Sequence, residues 1–130
     1  MRDTIKNHKD FAMAEDDPTA RCAYCLVRAR KTIFPGNAQY GLIATKRTFK
    51  HAVDRNRAKR LLREWIRYYE SYMRPDMDYV FIARAPILDA KLEEGRTAIR
   101  KALHYIRRTT PGYEPNKPNN VKKKNKKPRQ

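Results

Sequence analysis

The chain has 130 residues, of which 31 are Lys or Arg and 14 are Asp or Glu, so its formal net charge is +17. This length suits one domain with a modest core, and a hydrophobic content of 40% is enough to build it. No stretch approaches the roughly 18 apolar residues of a membrane span, and the N-terminus lacks an apolar signal core, so we expect a soluble, cytoplasmic protein. A charge excess on this scale repels itself and favours a polyanionic partner, most commonly nucleic acid.

The first third of the chain predicts a weak helix followed by two strands. Residues 4–15 place their apolar side chains on one side of a helix. Residues that favour strands then dominate 21–30 and 38–46, on either side of a loop around 35–37. We predict that these two segments pair as an antiparallel hairpin.

The following residues predict a helix, a strand and another helix. A long basic helix covers about 52–73 and ends before Pro75. The nearly continuous apolar run at 78–85 suits a central strand, and helical spacing returns over 89–107. This order predicts an α+β domain in which one sheet packs with three helices.

The last twenty residues differ in composition from the rest. Residues 111–130 contain three Pro in their first eight positions and seven bases against one acid. Such a segment cannot bury enough apolar surface to fold, so we predict a folded domain over 1–110 and a disordered basic tail over 111–130. A tail of this kind either attracts phosphate unspecifically or only raises solubility, and we favour the first.

The two cysteines, Cys22 and Cys25, form a Cys-Ala-Tyr-Cys pair. One pair cannot fill a four-coordinate zinc site, and the three histidines are scattered, so no protein-bound metal is expected. A zinc or redox role is left open, but we favour the interpretation that both are small residues on a strand.

Winding residues 52–74 at about 100° per residue divides the basic helix into two faces. The apolar face holds Ala58, Leu61, Leu62, Trp65, Tyr69, Tyr72 and Met73. The opposite face holds Asn56, Lys59, Arg60, Arg63, Arg67 and Arg74, with Arg55 and Arg57 on its flanks. The first face predicts contact with the core, and the second is a basic stripe roughly 25 Å long.

This stripe is either an ordinary solvated face or a docking surface for nucleic acid. Solvated helices usually mix Glu with Lys, because like charges at i,i+4 repel by a few tenths of a kcal/mol. Here three acids dilute ten bases between Lys46 and Arg74. The planar Arg fork suits phosphate, and Asn56 can contact a sugar hydroxyl or a base edge. We therefore favour docking on nucleic acid.

The sequence carries no catalytic motif of its own. It has no Gly-rich phosphate loop, no His-Glu metal motif, and no Ser or Cys beside an evident base. The acidic pairs at 16–17 and 93–94 are better explained as capping or surface charges. By itself the protein therefore looks like a binder.

The stretch GLIATKRTFKHAVDRNRAKRLLREWIR (41–67) resembles the signature of the bacterial ribonuclease P protein subunit. The match runs through Lys50, Ala52, Val53, Arg55, Asn56, Arg57, Lys59, Arg60, Arg63 and Glu64. Residues 78–103 resemble the strand and closing helix of that family, and the resemblance covers about 5–107. The chain departs from it at Tyr40, where the family usually has Arg, and at Phe49, where Gly is usual.

The resemblance implies a small two-layer sandwich with a mixed sheet and a left-handed βαβ crossover. It also implies a monomeric accessory subunit of an endoribonuclease, partnered by the catalytic ribonuclease P RNA and by precursor tRNA. In that family the RNA, with Mg²⁺ bound mainly by the RNA itself, hydrolyses the phosphodiester that joins the 5′ leader to precursor tRNA. The protein binds the leader and the catalytic RNA.

The resemblance also assigns residues to these roles. Those expected to face RNA are Arg55, Asn56, Arg57, Lys59, Arg60 and Arg63, together with Lys46, Arg47 and Lys50. Phe11 and Tyr24 are assigned to the leader cleft, where stacking of an unpaired base on a ring is worth about 1–3 kcal/mol. A position in the core is an equal alternative for Phe11.

Two other functions stay open. One is an rRNA-binding ribosomal or ribosome-assembly protein with no role in cleavage. The other is a DNA-binding regulator that reads DNA with residues 52–73. We disfavour the regulator, because Trp65 and Tyr69 are better explained as core residues than as a dimer seam.

Overall fold

The computed structural model describes residues 3–5, 17–33 and 36–110. Within these residues the chain forms five strands and two α-helices. The strands are β1 (Asp3–Thr4), β2 (Thr19–Arg21), β3 (Cys25–Lys31), β4 (Gln39–Ile43) and β5 (Met77–Ala83), and the helices are α1 (Ala52–Tyr68) and α2 (Leu92–Thr109). Short 3-10 turns over Glu70–Tyr72 and Ala85–Asp89 follow α1 and precede α2. None of the described helices is both long enough and apolar enough to cross a membrane.

One mixed sheet contains all five strands in the order β1-β4-β5-β3-β2. The central strand β5 runs antiparallel to β3, with Ala83 opposite Cys25. It runs parallel to β4, with Tyr79 opposite Tyr40. The path from β4 through α1 to β5 is therefore a βαβ crossover. The predicted α+β class and the central position of the apolar strand are confirmed, and the left hand of the crossover stays a prediction.

The predicted hairpin between 21–30 and 38–46 is wrong. Strands β3 and β4 are not neighbours, because β5 lies between them and pairs with both. Strand β3 instead pairs on its outer side with the short strand β2. The burial of β5 agrees with this central position, since six of its seven residues are buried, including Asp78, whose charge is paired with Arg30.

The N-terminal helix predicted over 4–15 can be compared with the structure only at its start. Thr4 belongs to strand β1, which pairs in parallel with β4. Residues 6–16 lie outside the described residues, as do Phe11 and the tail predicted over 111–130. Two of the three predicted helices, α1 and α2, are therefore present in the part of the chain that the structure describes.

The basic helix ends earlier than the sequence predicted, and this changes the role of Arg74. Helix α1 stops at Tyr68, so residues 69–73 no longer follow its faces. Arg74 is only 2% exposed. Its guanidinium pairs with Asp76 at 2.9 Å and donates to the carbonyl of Thr110 at 3.0 Å. Its placement on the exposed basic stripe was therefore wrong.

The core lies between one face of the sheet and the two helices. The sheet contributes Val27, Ala29, Tyr40, Leu42, Tyr79 and Phe81, and the helices contribute Leu62, Trp65, Ile66, Ile99, Leu103 and Ile106. The predicted apolar face of α1 is confirmed at Ala58, Leu62 and Trp65, each fully buried. Trp65 packs over Gly95 of α2, where an added methyl group would collide with the indole ring.

Asp78 organises the opposite face of the sheet near the β3–β4 loop. This fully buried carboxylate accepts hydrogen bonds from the Thr32 hydroxyl at 2.7 Å and the Gln39 amide at 2.8 Å. It also pairs with the Arg30 guanidinium at 3.3 Å. These contacts satisfy a charge that would be costly to bury alone, and they fix the loop against β5.

Candidate nucleic-acid interface

The bases of α1 lie on the side of the helix that points away from the core. Asn56, Arg57, Arg60, Arg63 and Arg67 are exposed, and Lys59 is half-buried. Among the residues that the structure describes, none of these side chains takes part in an ion pair. The charge of the four arginines and of Lys59 is therefore available to an anionic partner, and Asn56 adds a neutral hydrogen-bonding group.

Arg55 is oriented differently from the other arginines of α1. Its side chain is half-buried, and its Nη1 donates to the carbonyl oxygens of Phe49 at 2.9 Å and Lys50 at 3.1 Å. These bonds tie the first turn of α1 to the segment that precedes it. Part of the Arg55 guanidinium is thus committed to the fold.

The turn after β4 carries the basic pair predicted at the strand end. The Thr45 carbonyl accepts from the Phe49 amide at 2.9 Å, and the Thr45 hydroxyl accepts from the Thr48 amide at 3.2 Å. These bonds close the turn and leave Lys46 and Arg47 exposed at its tip. Lys50, also exposed, continues the basic surface toward α1.

A groove of about 440 Å³ borders this turn. Its walls include Arg21, Leu26, Thr48, Ile82, Ala83 and Arg84. Arg21 and Arg84 are exposed bases, and the described lining contains no acid. Arg84 is steadied by a hydrogen bond of 2.9 Å from its Nη1 to the Cys22 carbonyl. Guanidinium groups can pair with the phosphates of a single strand and can also stack on its unpaired bases.

A larger cavity of about 770 Å³ lies between β2 and α2. Its lining includes Glu93 and Glu94 as well as Lys101 and Tyr105. The two neighbouring carboxylates repel a phosphate backbone. The smaller groove is therefore the better candidate for a polyanion.

The structure brings only part of the predicted site together. The predicted bases lie on α1 and on the turn after β4. We call this surface the basic edge; its members are Lys46, Arg47, Lys50, Arg55, Arg57, Lys59, Arg60 and Arg63. Tyr24 lies beside the larger cavity: its hydroxyl donates to Glu94 Oε1 at 3.2 Å, and its ring centroid is 5.9 Å from that of Trp65. Partial burial and the negative charge of Glu94 raise the pKa of the Tyr24 hydroxyl. The assignment of Tyr24 to a leader cleft stays a prediction.

Sequence reasoning missed Arg21 and Arg84 as members of the site. Both lie next to strand ends, and the register that places Cys25 opposite Ala83 brings those ends together. Strands β4 and β5 are parallel neighbours, so their C-terminal ends lie at the same end of the sheet. Arg47 and Arg84, which follow these strands, therefore lie at that end. A search for bases directly after apolar strands would have found Arg84.

The departures from the family pattern at Tyr40 and Phe49 fall in the core. Each side chain is only 3% exposed. Tyr40 belongs to β4, and Phe49 precedes α1 under the closed turn. Both substitutions therefore concern packing inside the domain, and neither position is one of the exposed bases of α1 or of the turn after β4.

The fold and this edge define a class of molecule, a small basic α+β protein with a charged helix, turn and groove on one side. The chain belongs to the ribonuclease P family, whose model matches residues 2–107. The resemblance seen in the sequence is thereby confirmed.

Curated relatives carry the same family name. The chain is similar to the ribonuclease P protein component of Shouchella clausii, with 40% identity over 73 residues, which are 56% of this chain and 59% of that protein. It is also similar to that of Caulobacter vibrioides, with 39% identity over 82 residues, 62% of this chain and 54% of that protein. The chain thus matches somewhat more than half the length of these relatives.

Solved structures share the fold. The ribonuclease P protein of Staphylococcus aureus superimposes with a TM-score of 0.65 at 22% identity, covering 78% of this chain and 93% of that one. The protein from Thermotoga maritima gives a TM-score of 0.67 at 21% identity, covering 81% of this chain and 98% of that one. At this level of identity the likeness concerns the fold alone.

Proposed function

We propose that this protein is the RNA-binding subunit of ribonuclease P and assists a catalytic RNA in removing the 5′ leader from precursor tRNA. Family membership supports the proposal. The observation that carries it is the continuous basic edge: Arg55 joins α1 to the turn after β4, and Thr48 of that turn lines the groove. An edge of this kind can contact two RNA segments at once.

Within this proposal the two parts of the edge have different partners. The exposed face of α1 presents Asn56, Arg57, Arg60 and Arg63, with the exposed Val53 one turn before them. Its three guanidinium groups suit the phosphates of a folded catalytic RNA. The groove combines Arg21 and Arg84 with apolar walls, which suits the single-stranded leader. Lys46 and Arg47 lie between the two and would neutralise phosphates close to the cleavage point.

The proposal leaves the chemistry to the RNA. In the described part of the chain, no three side chains among His, Cys, Asp and Glu lie close enough together to hold a metal ion. We infer that the Mg²⁺ of the reaction is held mainly by RNA phosphates, where it would supply Lewis-acid assistance. The protein, as one copy in a cytoplasmic holoenzyme, contributes binding and positioning.

Leader recognition is tested by comparing precursor tRNA with mature tRNA in complexes of the protein and a bacterial-type catalytic RNA. We expect precursor tRNA to bind about tenfold more tightly, a difference of about 1.4 kcal/mol, when the protein is present. Arg84→Ala should reduce this preference and leave the affinity for mature tRNA unchanged, whereas Lys101→Ala, in the other cavity, should preserve it. Equal affinities for the two tRNAs would favour an rRNA-binding assembly protein instead.

A further inference from the structure

The two cysteines face each other across a tight turn. Strand pairing places Arg21 opposite Leu26, so the next positions, Cys22 and Cys25, close a two-residue turn. The Cys22 amide donates to the Cys25 carbonyl at 3.0 Å, and the two Sγ atoms are 3.6 Å apart. Opposed residues in antiparallel strands have Cα atoms about 4.5–5.5 Å apart, within the range of about 4.4–6.8 Å found in disulfides.

The environments of the two thiols differ. Cys22 is half-buried and lines the 770 Å³ cavity, whereas Cys25 is fully buried in the core. A hydrogen bond from the Cys25 thiol lowers the pKa of Cys22 to about 6, with help from backbone amides and the positive charge of Arg84, although burial opposes the shift. The same hydrogen bond and burial raise the pKa of Cys25. Cys22 is thus the accessible thiolate and Cys25 the protected thiol beside it.

We propose that Cys22 and Cys25 form a peroxide-sensitive dithiol that closes reversibly to an intramolecular disulfide. In the first step the Cys22 thiolate attacks a peroxide oxygen, the O–O bond breaks, and Cys22 becomes a sulfenic acid as hydroxide leaves. In the second step the Cys25 sulfur attacks the Cys22 sulfur, and the sulfenic oxygen leaves with the Cys25 proton as water. Two thiols are oxidised and one peroxide is reduced to two molecules of water.

The setting favours a reversible bond over a permanent structural one. A disulfide between Cys22 and Cys25 would span only a two-residue turn and would be partly exposed on the Cys22 side. Exposed disulfides are more easily reduced than buried ones. The turn also carries the Cys22 carbonyl that accepts from Arg84, 2.9 Å away. Closing the disulfide would therefore change the backbone to which Arg84, a residue of the 440 Å³ groove, is hydrogen-bonded.

The proposal is tested on the full chain with one equivalent of hydrogen peroxide at neutral pH, followed by maleimide labelling and intact mass measurement. We expect the wild-type monomer to lose two hydrogen atoms and both labelling sites, and dithiothreitol to restore both. Cys25→Ser, or Cys25→Ala if the hydroxyl disturbs the core, should accumulate a sulfenic acid at Cys22 that dimedone traps. Cys22→Ser should react with peroxide at least tenfold more slowly than the wild type. In urea, which unfolds the turn, the wild-type protein should no longer react faster by this factor.

Three results would overturn the proposal. One is a wild-type product consisting only of disulfide-linked dimers. Another is oxidation of Cys22 to a sulfinic acid while Cys25 remains open to maleimide after unfolding. The third is a Cys22→Ser variant that consumes peroxide as fast as the wild type, which would show that both cysteines are ordinary small residues.

Discussion

Arg57 and Arg60 lie on the exposed face of α1, and their contribution to RNA binding can be isolated from general charge. The affinity for RNA falls with salt, and each phosphate that the protein no longer neutralises should make the negative slope of log K against log salt shallower by about 0.7–0.9. We therefore expect Arg57→Ala with Arg60→Ala to weaken binding to the catalytic RNA and to lower that slope by about 1.4–1.8, measured by titration at several salt concentrations.

The matched control removes two exposed bases from α2. Lys101→Ala with Arg108→Ala makes the same change in net charge away from the basic edge. It should change the slope by less than half as much. Equal slopes for the two double variants would show that the stripe on α1 acts only through the overall charge.

Arg55 belongs to the same motif but should affect stability more than its neighbour Arg57 does. It donates two hydrogen bonds to backbone carbonyls before α1. Because the side chain is half-exposed, we expect Arg55→Ala to lower the free energy of unfolding by about 1 kcal/mol. Arg57→Ala, at an exposed position, should change it by less than about 0.5 kcal/mol. Urea denaturation measures both, and equal losses would contradict a structural role for Arg55.

At the scale of elements, the contact between α1 and α2 depends on the absence of a side chain at one position. A methyl group on Gly95 would overlap the Trp65 ring, which is fully buried. Alanine favours helix over glycine by about 1 kcal/mol, but the clash should outweigh this gain. We expect Gly95→Ala to lower the free energy of unfolding by about 1–3 kcal/mol.

Two variants separate the clash from other effects. Thr97→Ala on the same helix removes atoms from a half-buried position and so introduces no clash, and it should be nearly neutral. Adding Trp65→Phe to Gly95→Ala should recover part of the loss, because the smaller ring makes room for the methyl group. A stabilised Gly95→Ala variant would mean that the two helices do not pack as described.

The elements show which parts of the structure local sequence could predict. The faces of α1 followed from the spacing of Ala58, Leu62 and Trp65, because helical periodicity is a property of neighbouring residues. The pairing of β3 with β5, and not with β4, depends on residues about fifty positions apart. Local sequence patterns could not predict this pairing. For the same reason they could not predict the groove beside Arg84, whose walls come from strands distant in sequence. The early end of α1 was missed because Tyr69 and Tyr72 continue the apolar spacing beyond the helix.

At the scale of the whole molecule, the charge is unevenly distributed along the chain. Residues 111–130 carry seven bases against one acid, a net six of the seventeen positive charges. We expect deletion of 111–130 to leave cooperative unfolding unchanged and to weaken binding to unrelated RNA more than binding to the catalytic RNA. Thermal unfolding and competition titrations check the two parts. Loss of cooperative unfolding would show that the segment belongs to the folded domain.

The proposed function requires the basic edge to act within a cleavage complex. The direct measurement is the rate at which a bacterial-type catalytic RNA removes the 5′ leader from precursor tRNA at low Mg²⁺, with and without the protein. We predict that the wild-type protein stimulates cleavage, and that the Arg57→Ala, Arg60→Ala variant requires a higher protein concentration for the same rate. The Lys101→Ala, Arg108→Ala control should behave like the wild type. A cleavage rate that the wild-type protein leaves unchanged, although it binds the RNA, would contradict the proposed function.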